Sequence, residues 1–172
     1  MKGERGLTLV ELIIVAAILG IGIAALVGAF VSQMALNEHA RNMAWAMNDA
    51  NRVMERLRQL NTNCDTPAAS APSECGDGTA ACADWDDWLE STTAGGKNLQ
   101  PNPATNELIV PTTSGNDPLQ VTIAVCWRHR SRTVGECTWD GTQLTSSDAD
   151  GDGVIESPAM LSTLMTCRSE AS

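Results

Sequence analysis

Apolar residues dominate one stretch near the start of the chain. The twenty residues from Leu12 to Val31 include no charged or strongly polar side chain. A helix of this length spans about 30 Å, the thickness of the hydrocarbon core of a bilayer. Small residues that would let such helices pack closely recur at every fourth position, at Ala16, Gly20, Ala24, Gly28 and Ser32. The pattern predicts a membrane-spanning or helix-packing segment, which we place at residues 7–31.

Beyond residue 31 the pattern becomes that of an amphipathic helix. Apolar side chains recur at spacings of four and three, at Leu36, Ala40, Met43, Met47, Ala50, Met54 and Leu57. Polar side chains are predicted on the other faces, at Asn48, Asp49, Arg52, Glu55, Arg56 and Arg58. A single apolar stripe is typical of a helix that packs against a globular domain. We therefore predict one helix from Leu7 to about Leu60, with residues 32–60 as its amphipathic half.

Residues 61–172 have short apolar stretches between turn-forming residues, and we predict a globular head there. Three stretches are predicted as strands, namely NELIV (106–110), LQVTIAVCW (119–127) and MLSTLMTC (160–167). A short helix that buries Trp85 and Trp88 is predicted at ADWDDWLE (83–90), and an irregular, disulfide-tied loop at residues 63–82. The expected fold is α+β, with the amphipathic half of the long helix packed on a small antiparallel sheet.

Composition limits the functions that this fold can have. The formal net charge of −10 argues against general nucleic-acid binding, which needs a positively charged surface. Six cysteines follow the apolar segment without any C-x-x-C pair, at Cys64, Cys75, Cys82, Cys126, Cys137 and Cys167. They predict disulfides in an oxidising compartment. Among the fifteen connectivities that six cysteines allow, we expect Cys126 with Cys167, and Cys64 with Cys75 or Cys82.

The residues around the start of the apolar segment predict its orientation and pose a problem. Lys2 and Arg5 precede the segment, which places the N-terminus in the cytoplasm. Glu11 lies inside it, where an unpaired carboxylate costs several kcal/mol. No Lys or Arg follows within the segment. The carboxylate therefore needs a partner from elsewhere.

The stretch Gly6-Leu7-Thr8-Leu9-Val10-Glu11 resembles the prepilin signature of type IV pilins and type II secretion pseudopilins, usually Gly-Phe-Thr-Leu-Val-Glu. The resemblance implies that a prepilin peptidase cleaves between Gly6 and Leu7 and methylates the amino group of Leu7. Residues 1–6 are then a cytoplasmic leader. It also implies that Glu11 pairs with the α-amino group of a neighbouring subunit, so that two charges costly alone in an apolar core become tolerable together.

A second resemblance concerns the rest of the chain. The segment RVMERLRQL (52–60), and a V-x-V-x-W-like strand followed by a late Thr-containing strand, resemble minor pilins of the type IV pilus modification family. This second resemblance implies a non-enzymatic subunit that enters a pilus, or primes its assembly, for motility, adhesion or DNA uptake. The implied partners are other pilin subunits, the prepilin peptidase and the inner-membrane assembly platform.

The resemblance further implies a single-pass inner-membrane protein before assembly and a periplasmic or extracellular filament afterwards. A type II secretion minor pseudopilin is the alternative within the same class of proteins. A membrane-anchored calcium-binding or adhesive module is the alternative of another class. An enzyme is not indicated, because His39 and His129 lie outside any recognisable nucleophile or metal motif.

The stretch DADGDGVIE (148–156) is similar to the first half of an EF-hand calcium loop. Oxygen ligands at positions 1, 3 and 5 are Asp148, Asp150 and Asp152, and a glycine follows for the sharp turn. The backbone carbonyl of Val154 is at position 7, and Glu156 at position 9 is a direct or water-mediated ligand. Position 12 is Ala159, so the usual bidentate carboxylate is missing. We expect weak Ca²⁺ binding; an Asp/Gly surface turn is the alternative.

One segment of the acidic chain is densely basic. WRHRSR (127–132) has three arginines within five residues. The default expectation is a hairpin end whose charges are solvated. Contact with DNA or with an acidic neighbour in a filament are the functional alternatives.

Overall fold

The computed structural model describes residues 8–60, 71–72, 75, 82–91, 107–115 and 118–166. The chain divides into two compact units, residues 1–40 and residues 41–172, and each is described by itself. Helix α1 begins at Leu9, ends at Leu60 and contributes residues to both units. The predicted long helix is confirmed, within two residues at its start.

The described part of the first unit, residues 8–40, is a largely apolar helical segment that contains no buried residue. Among the described residues, α1 is the one helix long and apolar enough to span a membrane, and its most apolar part is not buried. Large side chains such as Leu12, Ile21 and Phe30 are exposed. Apolar surface of this extent has to be covered by lipid or by other helices in the functional state.

The described residues of the second unit contain the end of α1, one short helix and six strands. The short helix is α2 (Trp85–Glu90), and the strands are β1 (Glu107–Ser114), β2 (Leu119–His129), β3 (Arg132–Val134), β4 (Cys137–Trp139), β5 (Leu144–Ser146) and β6 (Ala159–Met165). The three strands and the short helix predicted from the sequence are present. The three-residue strands β3, β4 and β5 were not predicted.

Strand β2 is the centre of a four-stranded antiparallel sheet. It pairs with β1 along the whole of β1, with Ile109 opposite Val125, and on its other side with β6, with Leu161 opposite Ile123. The end of β2 continues into a tight hairpin with β3. Strands β4 and β5 form a separate two-stranded sheet. The antiparallel sheet predicted from the sequence is confirmed.

The main core lies between α1 and one face of this sheet. The predicted inward-facing residues of β2 are all buried, namely Leu119, Val121, Ile123, Val125 and Trp127. They pack in one cluster with Ala46, Ala50, Val53, Met54 and Leu57 of α1 and with Trp85, Trp88 and Leu89 of α2. Asp86 of α2 accepts a hydrogen bond from the backbone N–H of Ile109, which fastens α2 to β1.

A second, smaller core covers part of the opposite face of the sheet. Ala124 and Cys126 of β2 pack there against Cys137, Leu144 and Ile155. The centre of β2 is therefore buried on both faces. This explains why Ala124, which lies on the face opposite the main core, is only 1% exposed.

The amphipathic pattern of α1 was predicted correctly in part. Met43 and Met47 are partly buried against the core, but Leu36 and Ala40, predicted on the same stripe, are exposed. Asp49, predicted on a polar face, is 0% exposed and contacts Arg52, with 3.3 Å between Asp49 Oδ1 and a guanidinium nitrogen. The buried face of α1 therefore includes Asp49, which the hydrophobic pattern assigns to a polar face, and it does not include Leu36 or Ala40.

The disulfide partners expected from the sequence are wrong. Cys126 is bonded to Cys137, not to Cys167, because the turn after β3 returns the chain across the face of β2. Cys75 and Cys82 are bonded to each other, so neither is the partner of Cys64. Cys64 and Cys167 lie outside the described residues.

Candidate functional site

The first turn of α1 positions Glu11. The side-chain Oε2 of Glu11 accepts hydrogen bonds from the backbone N–H and the hydroxyl of Thr8, both at 3.2 Å. In return, the backbone N–H of Glu11 donates to Thr8 Oγ1 at 3.3 Å. This reciprocal arrangement is a capping box, which satisfies backbone donors that the first turn of a helix leaves unpaired.

The capping box gives Glu11 a local partner in the isolated chain. Its carboxylate lies in the first helical turn, where the positive end of the helix dipole also favours it. The spacing Thr-x-x-Glu is the sequence signal for this contact, which was not predicted above. Gly6 and Leu7, where cleavage and methylation are predicted, lie outside the described residues.

Three aspartates converge in the loop between β5 and β6. Asp148, Asp150 and Asp152 each place a carboxylate oxygen within 4.8 Å of the others, and all three side chains are exposed. Among the described residues this is the one cluster of three or more His, Cys, Asp or Glu side chains that could hold a metal ion. The structure thus brings together the side chains predicted at positions 1, 3 and 5 of a calcium loop.

Backbone hydrogen bonds shape this loop around Asp148. Its two carboxylate oxygens accept from the N–H groups of Gly151 and Gly153, at 2.7 and 2.8 Å. These hydrogen bonds, that from Gly153 first, lower the pKa of Asp148 below its usual value. An ionised carboxylate oxygen that accepts one N–H group retains a second lone pair, so the same oxygens fit a hard cation such as Ca²⁺.

The second half of the loop is tied to the head. Ile155 is buried in the smaller core, and the backbone N–H of Glu156 donates to the carboxylate of Glu136 at 2.9 Å. Ala159, at position 12 of the calcium motif, is buried at the start of β6. Glu136 thus places a carboxylate, remote in sequence, beside the predicted position-9 residue.

The basic segment forms the hairpin between β2 and β3. Arg128 lies with its guanidinium carbon 4.3 Å from the centre of the Trp139 ring. Arg130 occupies the turn with a φ of +58°, the one positive φ of a non-glycine residue among those described. The side-chain amide of Asn42 on α1 donates to His129 Nδ1 at 3.3 Å, which fixes the hairpin against the helix.

Among known protein families, a match is found for the start of the chain. The family model described as the prokaryotic N-terminal methylation motif matches residues 1–27, a stretch that includes the predicted cleavage site and Glu11. This motif is the signal of type IV pilins and pseudopilins, a structural class of proteins, and with the apolar part of α1 it indicates membrane anchoring. No curated protein and no solved structure matches the chain.

Proposed function

We propose that this protein is a structural minor pilin, which enters a type IV pilus or primes its assembly. The observation that supports the proposal most directly is the methylation motif at residues 1–27, with Glu11 at its expected place in an otherwise apolar segment. The α+β architecture, with an exposed apolar half-helix before the head, fits the same function.

Assembly in this proposal depends on an exchange of partners at Glu11. Cleavage between Gly6 and Leu7 frees the α-amino group of Leu7, and that group is the cation which a neighbouring subunit offers. The carboxylate of Glu11 leaves Thr8 and pairs with this amine in the apolar interior of the filament. A one-turn slip along the helix would leave both charges unpaired, so the pair also sets the axial register.

The exposed face of the first unit supplies the surface for helix packing. No atom beyond the local helix lies within 4 Å of a Cβ built at Gly20, Gly22 or Gly28, so these positions are open to a neighbouring helix. Small residues permit close approach of helix backbones. In this proposal the chain is a single-pass inner-membrane protein with its N-terminus inside until the assembly platform transfers it to the filament.

The experiment that tests the proposal replaces Glu11. Glu11→Gln keeps the side-chain shape but removes the charge, and we expect the variant to be processed and inserted yet absent from sheared filaments. Glu55→Gln, an exposed carboxylate on the same helix, is the control and should enter filaments normally. Incorporation of Glu11→Gln at the wild-type level would refute the role of the charge pair.

Processing separates this proposal from a head that is merely tethered to the membrane. Mass spectrometry of the mature chain should find N-methylated Leu7 at its start, whereas an intact leader would support an anchored adhesive or calcium-binding module. A type II secretion minor pseudopilin has the same processed N-terminus. Loss of secretion, with pili retained, in a deletion strain would assign the chain to that system instead.

We also propose that the loop of residues 148–156 binds Ca²⁺ weakly. The favouring observation is the convergence of three aspartate carboxylates, which repel one another unless a cation lies among them. Ca²⁺ should raise the melting temperature of the wild-type protein, and EDTA should reverse the shift. Asp150→Asn should abolish the shift, but Asp140→Asn, in the separate turn between β4 and β5, should retain it. An absence of any shift would remove the site.

A further inference from the structure

The hairpin between β2 and β3 concentrates positive charge in an acidic protein. Arg128, Arg130 and Arg132 are three of only 11 Lys and Arg residues in a chain with a net charge of −10. Arg130 and Arg132 are exposed and Arg128 is partly exposed. We call residues 128–132 the basic hairpin. The proposed assembly mechanism uses none of its residues.

Arg128 and Arg130 each have a distinctive structural feature. The guanidinium group of Arg128 lies over the ring of Trp139, a cation–π contact that restrains it. Arg130 adopts a left-handed backbone conformation that glycine or asparagine would occupy at lower cost. A non-glycine residue in such a conformation is an observation from which a function can be inferred.

The basic hairpin lies beside the first residues of the second unit. His129 accepts a hydrogen bond from Asn42, and the unit begins at Arg41. Arg41 adds a fourth guanidinium group next to Asn42 in the chain and lies over the ring of Trp45 at 4.7 Å. Asn42 follows the end of the apolar run, Val31, by only eleven residues. Only a short stretch of chain therefore separates the residue hydrogen-bonded to His129 from the run that the proposed function anchors in the membrane.

We infer that the basic hairpin docks on anionic phospholipid headgroups of this membrane before the subunit enters a filament. Arginine binds phosphate through two parallel N–H groups, and tryptophan favours the membrane–water interface. Basic residues near a negatively charged bilayer surface are attracted to it, and salt weakens the attraction.

Lipid phosphate fits this surface better than nucleic acid does. A nucleic-acid site needs a basic surface along many phosphates, and the remaining charge of this acidic chain would repel a long polyanion. A bilayer needs only one patch turned towards it, because the more distant acidic groups are screened over about 10 Å. The membrane anchor also raises the effective concentration of lipid at the hairpin.

The inference rests on the membrane anchoring included in the proposed function, and the test separates the two. The full chain is reconstituted into vesicles of phosphatidylcholine alone or with phosphatidylglycerol. Flotation with both kinds of vesicle shows anchoring. Hydrogen exchange of peptides that cover residues 127–139 then reports docking, with peptides from β5 (Leu144–Ser146) as the internal reference.

We expect slower exchange of the hairpin in phosphatidylglycerol vesicles, and loss of this protection as salt is added. Arg132→Gln should weaken the protection about fivefold, the factor expected for one basic residue near an anionic surface. Arg58→Gln removes one positive charge from an exposed site outside the hairpin, on α1, and should not change the protection of the hairpin. Arg130→Gly suits the left-handed turn, so it should retain the fold while it weakens docking.

Three outcomes would overturn the inference while leaving membrane anchoring intact. The first is equal exchange of the hairpin in both kinds of vesicle, with flotation unchanged. The second is protection that appears only when an oligonucleotide is added, which would identify a nucleic-acid site. The third is protection that appears only with other pilin subunits, which would identify a protein interface. A chain that fails to float with either vesicle would contradict the anchoring itself.

Discussion

Cys126 of β2 and Cys137 of β4 form a disulfide that joins the two sheets of the head, and both residues are buried. The bond closes a short segment, since only eleven positions separate the two cysteines in the chain. That segment contains the basic hairpin and Gly135. The disulfide therefore closes the segment that contains the basic hairpin, and Glu136, next to Cys137, accepts a hydrogen bond from the backbone N–H of Glu156.

Removal of this disulfide should destabilise the head. For a loop of this length, the entropy of the unfolded chain predicts a loss of about 3 kcal/mol in the free energy of unfolding for the Cys126→Ala, Cys137→Ala double variant. Denaturant unfolding of the full chain in detergent measures it. Cys75→Ala with Cys82→Ala opens a shorter loop, with a separation of 7, and should cost less. The difference expected from the two loop lengths is only about 0.4 kcal/mol, so a clearly larger loss for the shorter loop would contradict the loop-length argument.

Gly135 should tolerate no side chain. Its φ is +94°, and a Cβ there would lie 2.8 Å from Cys126 Sγ and 3.1 Å from Ser157 Oγ. Gly135→Ala should therefore lower the free energy of unfolding by about 2–4 kcal/mol, from backbone strain and overpacking together. Gly141 is the matched control, since its φ is +108° and nothing lies within 4 Å of its Cβ. Gly141→Ala should cost only about 1–2 kcal/mol, the backbone part of the effect.

Asp49 should be essential for the packing of α1. It is fully buried beside Arg52, and removal of one partner from a buried pair typically costs about 3–5 kcal/mol. Arg52 is 22% exposed, so we expect about 3 kcal/mol for Asp49→Ala, measured by denaturant unfolding. Glu55→Ala removes an exposed carboxylate paired with Arg58 on the same helix and should cost less than about 1 kcal/mol. A similar loss in the free energy of unfolding for the two variants would show that the burial of Asp49 does not increase its contribution to stability.

Asp148 should make the stability of the head depend on pH in the acidic range. Its native pKa lies below the value of 3.8 for an unperturbed aspartate, because backbone N–H groups of Gly153 and Gly151 stabilise the ionised form. The stabilisation is therefore fully present above pH 4 and is lost as the pH falls through the lower native pKa. Melting temperatures measured in EDTA should differ between wild type and Asp148→Asn at neutral pH, and the difference should shrink in acid. A difference that is constant with pH would contradict this role.

The strongest sequence predictions concern elements with a long periodic pattern. The apolar run and stripe placed α1 correctly to its end at Leu60, and strict alternation identified the core-facing residues of β2. The methylation motif needed only local sequence, because a peptidase recognises contiguous residues. The spacing of Asp148, Asp150 and Asp152 predicted their convergence for the same reason, since one tight loop contains all three.

The remaining features depend on segments that are distant in the chain. The partner of Cys126 is set by the turn that brings β4 over β2, and six cysteines alone allow many pairings. Strands of three residues, such as β3, β4 and β5, are too short to show a period. Asp49 is buried although the helical pattern places it on a polar face, and Glu136 approaches Glu156 only when the chain folds back. The hydrophobic period of a sequence indicates which side of a helix or strand is apolar. Burial and pairing depend on which other elements pack against that helix or strand.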